Sequence, residues 1–351
     1  MPAITTASKP LVRLAAIYRS LDLSGDPFAL DPLDPLAGDA APLTAFCTGR
    51  DAILTWLRER GSSPSLALIT GIAGSGRTRL LAEIATHLID GPAIALLPVT
   101  LDDGKVTDVR LLRAIIESLG STANGRTGLE LVHETRALVA TSIKEDRLPV
   151  FILDDVELAG SRLEILRSLL TPPDEAPEGY DLRIILTGDR ELRDRLARRR
   201  ALAHQIANSV DLAPLDLDEV GMLVRFRIDS MRTGNEGEST NARSPQFSDG
   251  ALAILSDWSG GNPGAIIRLA GECLLEAIAR GRRDVDGEIA HDVARELTDH
   301  ARQAARAEAA APYVLPAVQT KIALTLGDDE TSPQPASRSR SHRTSRERNA
   351  R

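Results

Sequence analysis

Aromatic side chains are scarce in this chain: two Trp, three Tyr and five Phe among 351 residues. Hydrophobic residues still make up 42% of it, so the core must be built from Leu, Ile, Val and Ala. Trp56 and Trp258 read as core rather than as stacking platforms. Cysteine is nearly absent. Cys47 and Cys273 lie too far apart in sequence for a metal-binding or redox spacing, which predicts buried free thiols in a reducing compartment. No apolar run reaches the roughly 18 residues that a spanning helix needs. The apolar stretch from Leu11 to Tyr18 is broken by Arg13 and makes a poor signal peptide. The expected location is the cytoplasm, with no transmembrane segment. His87 and His133 fall on predicted helices without a partner at metal spacing, and no Ser/His/Asp arrangement stands out.

Charge is present but unevenly spread. The net charge is −8, and the stretch from Ala336 to Arg351 holds six Arg and one Glu, or +5, which leaves −13 for the rest. An acidic body with a basic tail does not suggest a surface that coats nucleic acid generally. The tail itself has the chemistry to contact phosphates on nucleic acid, an anionic membrane or an acidic partner.

The most informative stretch is Gly71-Ile-Ala-Gly-Ser-Gly-Arg-Thr78. It follows the apolar run Ser65–Thr70 and opens an apolar-periodic run from Leu80 to Leu88. Strand, glycine-rich loop and helix form the context of a phosphate-binding loop, G-x-x-x-x-G-K-[ST], with Arg77 in place of lysine. In such a loop, backbone N–H groups converge on phosphate oxygens with a helix N-terminus behind them. Gly71, Gly74 and Gly76 allow the tight wrap. The expected nucleotide contacts are Gly71, Ala73, Gly74, Ser75, Gly76, Arg77, Thr78 and Arg79. Thr78 would hold Mg²⁺ through its hydroxyl. Its partner would be a carboxylate at the end of a neighbouring strand, and Asp154, after the apolar run Val150–Leu153, fits. Asp155 then occupies the position of a residue that polarises the attacking water.

The remaining chain alternates strands and helices. Strands are predicted over Pro92–Val99, Leu148–Leu153, Leu182–Thr187 and Ser209–Leu212. Helices are predicted over Asp108–Leu119, Gly128–Ile143, Ser161–Leu170 and the basic Arg190–Arg200. This alternation predicts an α/β domain with a parallel sheet covered on both faces, over residues 45–213. Residues 1–44 read as an N-terminal extension. Beyond residue 213 the strand signal stops. Asp216 and Glu219 read as a capping box, and helices over Ser248–Trp258 and Pro263–Ala279 flank Gly260-Gly-Asn-Pro263, which gives an all-helical lid over 214–282. A polar insert is expected from Thr233 to Ser244, a long charged helix over 283–312, and a disordered basic tail over 313–351.

These motifs resemble the AAA+ ATPases of the ExeA (general secretion pathway A) type and the related TniB/TnsC transposition ATPases. Tyr18 with Asp26-Pro-Phe-Ala-Leu-Asp-Pro-Leu-Asp-Pro35 resembles that family's opening. Arg183-Ile-Ile-Leu-Thr-Gly-Asp-Arg-Glu-Leu-Arg193 resembles its fourth strand, Leu212-Ala-Pro-Leu215 with Glu219 its entry to the lid, and Ser259-Gly-Gly-Asn-Pro263 its lid turn. The resemblance implies a P-loop NTPase (AAA+) core with strand order 5-1-4-3-2 and a C-terminal all-helical lid. It implies ATP and Mg²⁺ as ligands, Arg50 in the vicinity of the adenine, and a homo-oligomer acting on a protein partner. Four charge-handling positions depart from the pattern: Arg77 for lysine, Asp155 for glutamate, Gly264 where the lid brings an arginine, and His204-Gln205-Ile206 where an arginine acts in trans. Guanidinium is planar and bulkier than ammonium, and Asp155 is one methylene shorter than glutamate. With Arg77 and Asp155 as the catalytic residues, the expectation is an ATP-binding ATPase that assembles or remodels a partner complex, with weak hydrolysis of the β–γ phosphoanhydride. Asp154-Asp155-Val156 and Gly261-Asn-Pro-Gly264 also resemble the STAND signalling NTPases, so a nucleotide-gated switch without turnover is the alternative, as is a DNA-associated adaptor using the tail. Arg198, Arg199, Arg200 and Arg268 read as solvated helix faces.

Overall fold

The computed structural model describes residues 18–29, 41–59, 65–88, 94–99, 107–156, 163–172, 180–232 and 244–310. The expected polar insert, the second half of the N-terminal proline motif and the basic tail lie outside these residues, apart from Ser244.

The chain order is α1 (Thr44–Arg58), β1 (Leu66–Gly71), α2 (Arg77–Thr86), β2 (Ile94–Val99), α3 (Asp108–Ser118), α4 (Gly128–Lys144), β3 (Leu148–Leu153), α5 (Glu164–Leu170), β4 (Arg183–Gly188), α6 (Arg190–Ala197), α7 (Arg200–Ala203) and β5 (Ile206–Leu212). Then come α8 (Leu217–Ser230), α9 (Asp249–Ser259), α10 (Pro263–Ala279) and α11 (Gly287–Ala310). The five strands form one parallel sheet in the order β2-β3-β4-β1-β5, the order the family resemblance implied. The chain divides into units at Arg302, and the described residues beyond it are the last turns of α11.

Strand periodicity sorts the core into two clusters. On β1, Ala67 and Ile69 join one cluster while Leu66 and Leu68 join the other. On β4, Ile185 takes the first side, and Ile184 and Leu186 take the second. Successive side chains of a strand point to opposite faces, so an unbroken apolar run is what a sheet buried on both faces requires. Helices α3 to α7 supply the second cluster. Helices α1 and α2 supply the first, which continues without a break into Val220, Leu255, Ile266, Leu269 and Val293 of the C-terminal helices.

Three elements differ from the sequence reading. The strand predicted as buried over 92–99 is β2, the edge of the sheet, and most of it is only half-buried. An edge strand also tolerates Pro98, which has no N–H to give a ladder. The basic helix predicted over Arg190–Arg200 is two helices, broken at Arg198 and Arg199. Cys47 is only half-buried, whereas Cys273 is fully buried and its thiol pKa is pushed up to about 12 by that burial. The capping box at Asp216 is present: its carboxylate accepts from the Glu219 N–H at 2.9 Å, and Glu219 accepts from the Asp216 N–H at 3.3 Å.

Residues 18–29 are fastened to the C-terminal helices. Leu23 bridges Arg232, the Ser24 N–H donates to the Met231 carbonyl at 2.7 Å, and Arg227 donates to the carbonyls of Pro27 and Ala29. Phe28 meets Phe247 edge-on at 5.8 Å and lies over Gly271, where an added Cβ would come within 3.2 Å of it. Burial and the neighbouring Asp26 push the Tyr18 hydroxyl up to about 12. Two of the chain's few aromatic residues are thus used to join its beginning to its last third.

Candidate functional site

The glycine-rich loop joins β1 to α2. Gly74 and Gly76 have φ of +83° and +98°, backbone that side-chain-bearing residues rarely adopt. Gly76 is the residue before the first turn of α2, and its carbonyl accepts from the Leu80 N–H at 2.9 Å. The Ser75 side chain is buried, and its hydroxyl has no hydrogen-bond partner. Ile72, Ala73, Gly74 and Thr78 are exposed.

Register places the acidic residues. Leu153 of β3 pairs with Leu186 of β4, so Asp154 and Thr187 emerge side by side at the strand ends. The buried Thr187 hydroxyl donates to Asp154 Oδ1. Asp154 Oδ2 lies 3.4 Å from the Thr78 hydroxyl of the loop. The structure therefore brings together the two residues the sequence assigns to a metal. Hydroxyl and carboxylate oxygens suit Mg²⁺, which keeps several waters and takes only one or two protein carboxylates beside substrate phosphates. Among the described residues no cluster of three or more His, Cys, Asp or Glu offers an all-protein metal cage.

Arg77 and Asp155 pair with each other. Arg77 Nη2 lies 2.6 Å from Asp155 Oδ1, with the arginine side chain 12% exposed and the aspartate 61%. Asp155 sits at φ +49°, and its N–H donates at 3.1 Å to both Thr187 Oγ1 and Asp154 Oδ1. Two of the four departures thus meet in one ion pair.

The third departure has a steric reason. The N–H of Gly264, at the start of α10, donates to the Gly74 carbonyl at 2.9 Å, and a Cβ on Gly264 would come within 3.2 Å of Gly74 Cα and O. Backbone packs on backbone here, and a side chain at 264 would crowd the loop. Asn262 completes the clasp. Its Nδ2 donates to the Ala73 carbonyl at 2.8 Å, while its Oδ1 accepts from the N–H groups of Gly264 and Ala265 and so caps α10. Pro263 occupies the first turn of that helix, where its missing N–H costs nothing. Asn262→Ala is expected to lose about 2 kcal/mol of stability, since both cap and clasp are removed, whereas Asn262→Asp, which keeps the cap, is expected to lose about 1 kcal/mol. Urea unfolding of the two variants measures the difference; an Asn262→Asp variant as stable as wild type would mean that the bond to Ala73 contributes nothing, and equal losses would mean that the cap contributes nothing.

Two expected nucleotide contacts turn elsewhere. Arg79 pairs with Glu83 at 3.0 Å, and Arg50 of α1 approaches the same buried carboxylate at 4.0 Å while bonding Asp51 at 3.0 Å. His87 Nδ1 completes the group, 3.7 Å from Glu83. Arg198, Arg200 and Arg268 are exposed and Arg199 half-buried, in keeping with solvated faces. Sequence reasoning did not single out Thr187 or Asn262. Thr187 carried a signal: a polar residue closing an apolar strand, as Asp154 does. Asn262 carried none, because its role depends on the packing of α10 against the loop.

The sequence profile of a family described as "AAA domain" matches residues 59–196. A comparison with curated proteins found no match. Solved structures of similar fold include the Aeropyrum pernix ORC2 protein in ADPNP–ADP complexes, at a TM-score of 0.54 and 17% identity, covering 77% of this chain and 71% of that one. They also include the Aeropyrum pernix ORC1 protein in complex with DNA, at 0.52 and 15%, covering 76% and 68%. Drosophila ORC bound to DNA matches at 0.52 and 15%, covering 85% and 68%. The fold is that of an AAA+ P-loop NTPase: a five-stranded parallel sheet followed by a C-terminal helical lid. Among the described residues no helix is long and apolar enough to cross a membrane.

Proposed function

We propose that the chain is a cytoplasmic, nucleotide-binding ATPase of the ExeA or TniB/TnsC type that assembles or remodels a partner complex as a homo-oligomer, with weak hydrolysis. The observation that carries the reading is the meeting of Thr78 and Asp154 at the mouth of the glycine-rich loop. Thr78 and Asp154 would hold Mg²⁺, which would neutralise phosphate charge. The N-terminus of α2 and the loop N–H groups would receive the phosphates. Weak hydrolysis is supported by Asp155: the carboxylate best placed to orient a water is engaged with Arg77. The clasp of Asn262 and Gly264 on the loop supports the lid as the element through which bound nucleotide is read out.

A DNA-associated adaptor is the second reading, favoured by the fold shared with two proteins solved with DNA. The nucleotide-gated switch is favoured by the same Arg77–Asp155 pair that argues for slow turnover.

Titration with fluorescent ADP and ATP analogues, with and without Mg²⁺, tests the main proposal, followed by steady-state phosphate release on the same sample. Saturable binding is expected. Thr78→Ala should weaken it at least about tenfold in Mg²⁺ and little in EDTA, the loss of one metal ligand. Absence of binding under all conditions would sink the nucleotide reading, and brisk turnover would overturn the weak-hydrolysis part alone.

A further inference from the structure

We propose that this site selects nucleoside diphosphate over triphosphate, because Asp155 contests Arg77 with a third phosphate. This rests on the nucleotide reading above and adds a ligand preference to it.

The cation at position 77 of the loop pattern is the one that reaches the β- and γ-phosphates. Here that cation is held by protein. The guanidinium is nearly buried and in contact with Asp155 at 2.6 Å. Asp155 stays close by if Arg77 leaves. Its backbone is fixed in the left-handed region by the two bonds to Thr187 and Asp154, and Thr187 is itself buried at the end of β4. A third phosphate would have to draw Arg77 away from Asp155 and then lie beside the carboxylate it had uncovered. Both steps disfavour it: a charge-assisted bond is broken, and two like charges are brought together.

A diphosphate makes at most the first of these demands, through its β-phosphate, and brings no third phosphate beside Asp155. The N–H groups of the loop and the start of α2 do not depend on the ion pair, nor does the Thr78–Asp154 pair. Among the described residues, those through which the lid hydrogen-bonds to the loop are Asn262 and Gly264, neither of them charged. Lysine and glutamate at these two positions would pair as well. The difference lies in arginine's planar fork, which holds a carboxylate more firmly than a hydrated ammonium does.

The test is calorimetric titration of the full chain with ADP and with a non-hydrolysable ATP analogue, in Mg²⁺. Wild type is expected to bind ADP about tenfold more tightly, which corresponds to about 1.4 kcal/mol. Asp155→Asn removes the competing charge and suits the positive φ, as asparagine tolerates that region. It should narrow the ratio at least about fivefold; Asp155→Ser serves as a second removal of the charge, and thermal melting confirms that each variant is folded. Equal affinities in wild type, or a ratio unmoved by both variants, would overturn the preference while leaving nucleotide binding intact. Failure of wild type to bind either nucleotide would instead overturn the reading on which the preference rests.

Discussion

Gly261→Ala is expected to destabilise the protein by about 3 kcal/mol, from a positive-φ cost of about 1–2 and overpacking of about 1–3. Gly261 has φ +75°. A Cβ there would lie 2.9 Å from the Leu215 nitrogen and 3.0 Å from Pro214 Cβ, and closer still to the Leu215 carbonyl oxygen. The obstacle is backbone, and that backbone is not at liberty to move. The Leu215 N–H donates to the Gly261 carbonyl at 2.8 Å, which ties the β5–α8 connection to the turn before α10. Gly260 is the control. It too is left-handed, at φ +57°, but nothing lies within 4 Å of where its Cβ would be, so Gly260→Ala should cost only about 1 kcal/mol. Urea unfolding of both variants checks this: losses within 0.5 kcal/mol of each other, roughly the spread of ordinary surface changes, would show that the wedge is not there.

Arg183→Ala is expected to cost about 4 kcal/mol, the range found when one partner of a buried ion pair is removed. The side chain is fully buried at the start of β4. Its Nη2 lies 3.2 Å from Asp181 Oδ2, it donates to the Glu59 carbonyl, and its guanidinium stands 5.0 Å from the Trp56 ring. Truncation would take the guanidinium away from the mostly buried Asp181 carboxylate, release the tether on the end of α1, and open a cavity beneath Trp56. The double change Arg183→Met with Asp181→Asn, which removes the stranded charge and refills the volume, should recover most of the loss. Denaturant midpoints of the single and double variants measure it. A double variant as unstable as Arg183→Ala would mean that the loss does not come from the Asp181 charge.

Both predictions fall on motifs visible in the sequence, yet neither effect was legible there. Arg183 is the second residue of the strand read over Leu182–Thr187, and nothing in the run says that its guanidinium is buried. Gly260 and Gly261 look interchangeable in Gly260-Gly-Asn-Pro263, and only the packing of Leu215 separates them. The same holds for the loop. Arg77 and Asp155 read as two independent weakenings of hydrolysis, and the register of β3 on β4 with the start of α2 makes them one ion pair. Gly264 reads as a lost arginine, and the clasp makes it a position where a side chain would crowd the loop.

What the sequence determined by itself was whatever depends on short-range pattern. The parallel sheet followed from apolar runs alternating with helical periodicity. The loop followed from glycines at positions of positive φ, and Thr78 and Asp154 from their places at the ends of regular elements. These features are written into neighbouring residues, and local sterics and burial enforce them. What only the tertiary structure decided was which residues far apart in the chain meet: Asp155 with Arg77, Thr187 with Asp154, Asn262 with Ala73, Gly261 with Leu215, and Phe28 with Phe247. Such meetings are set by strand order and by how the C-terminal helices pack against the loop and residues 18–29, and no local pattern carries them.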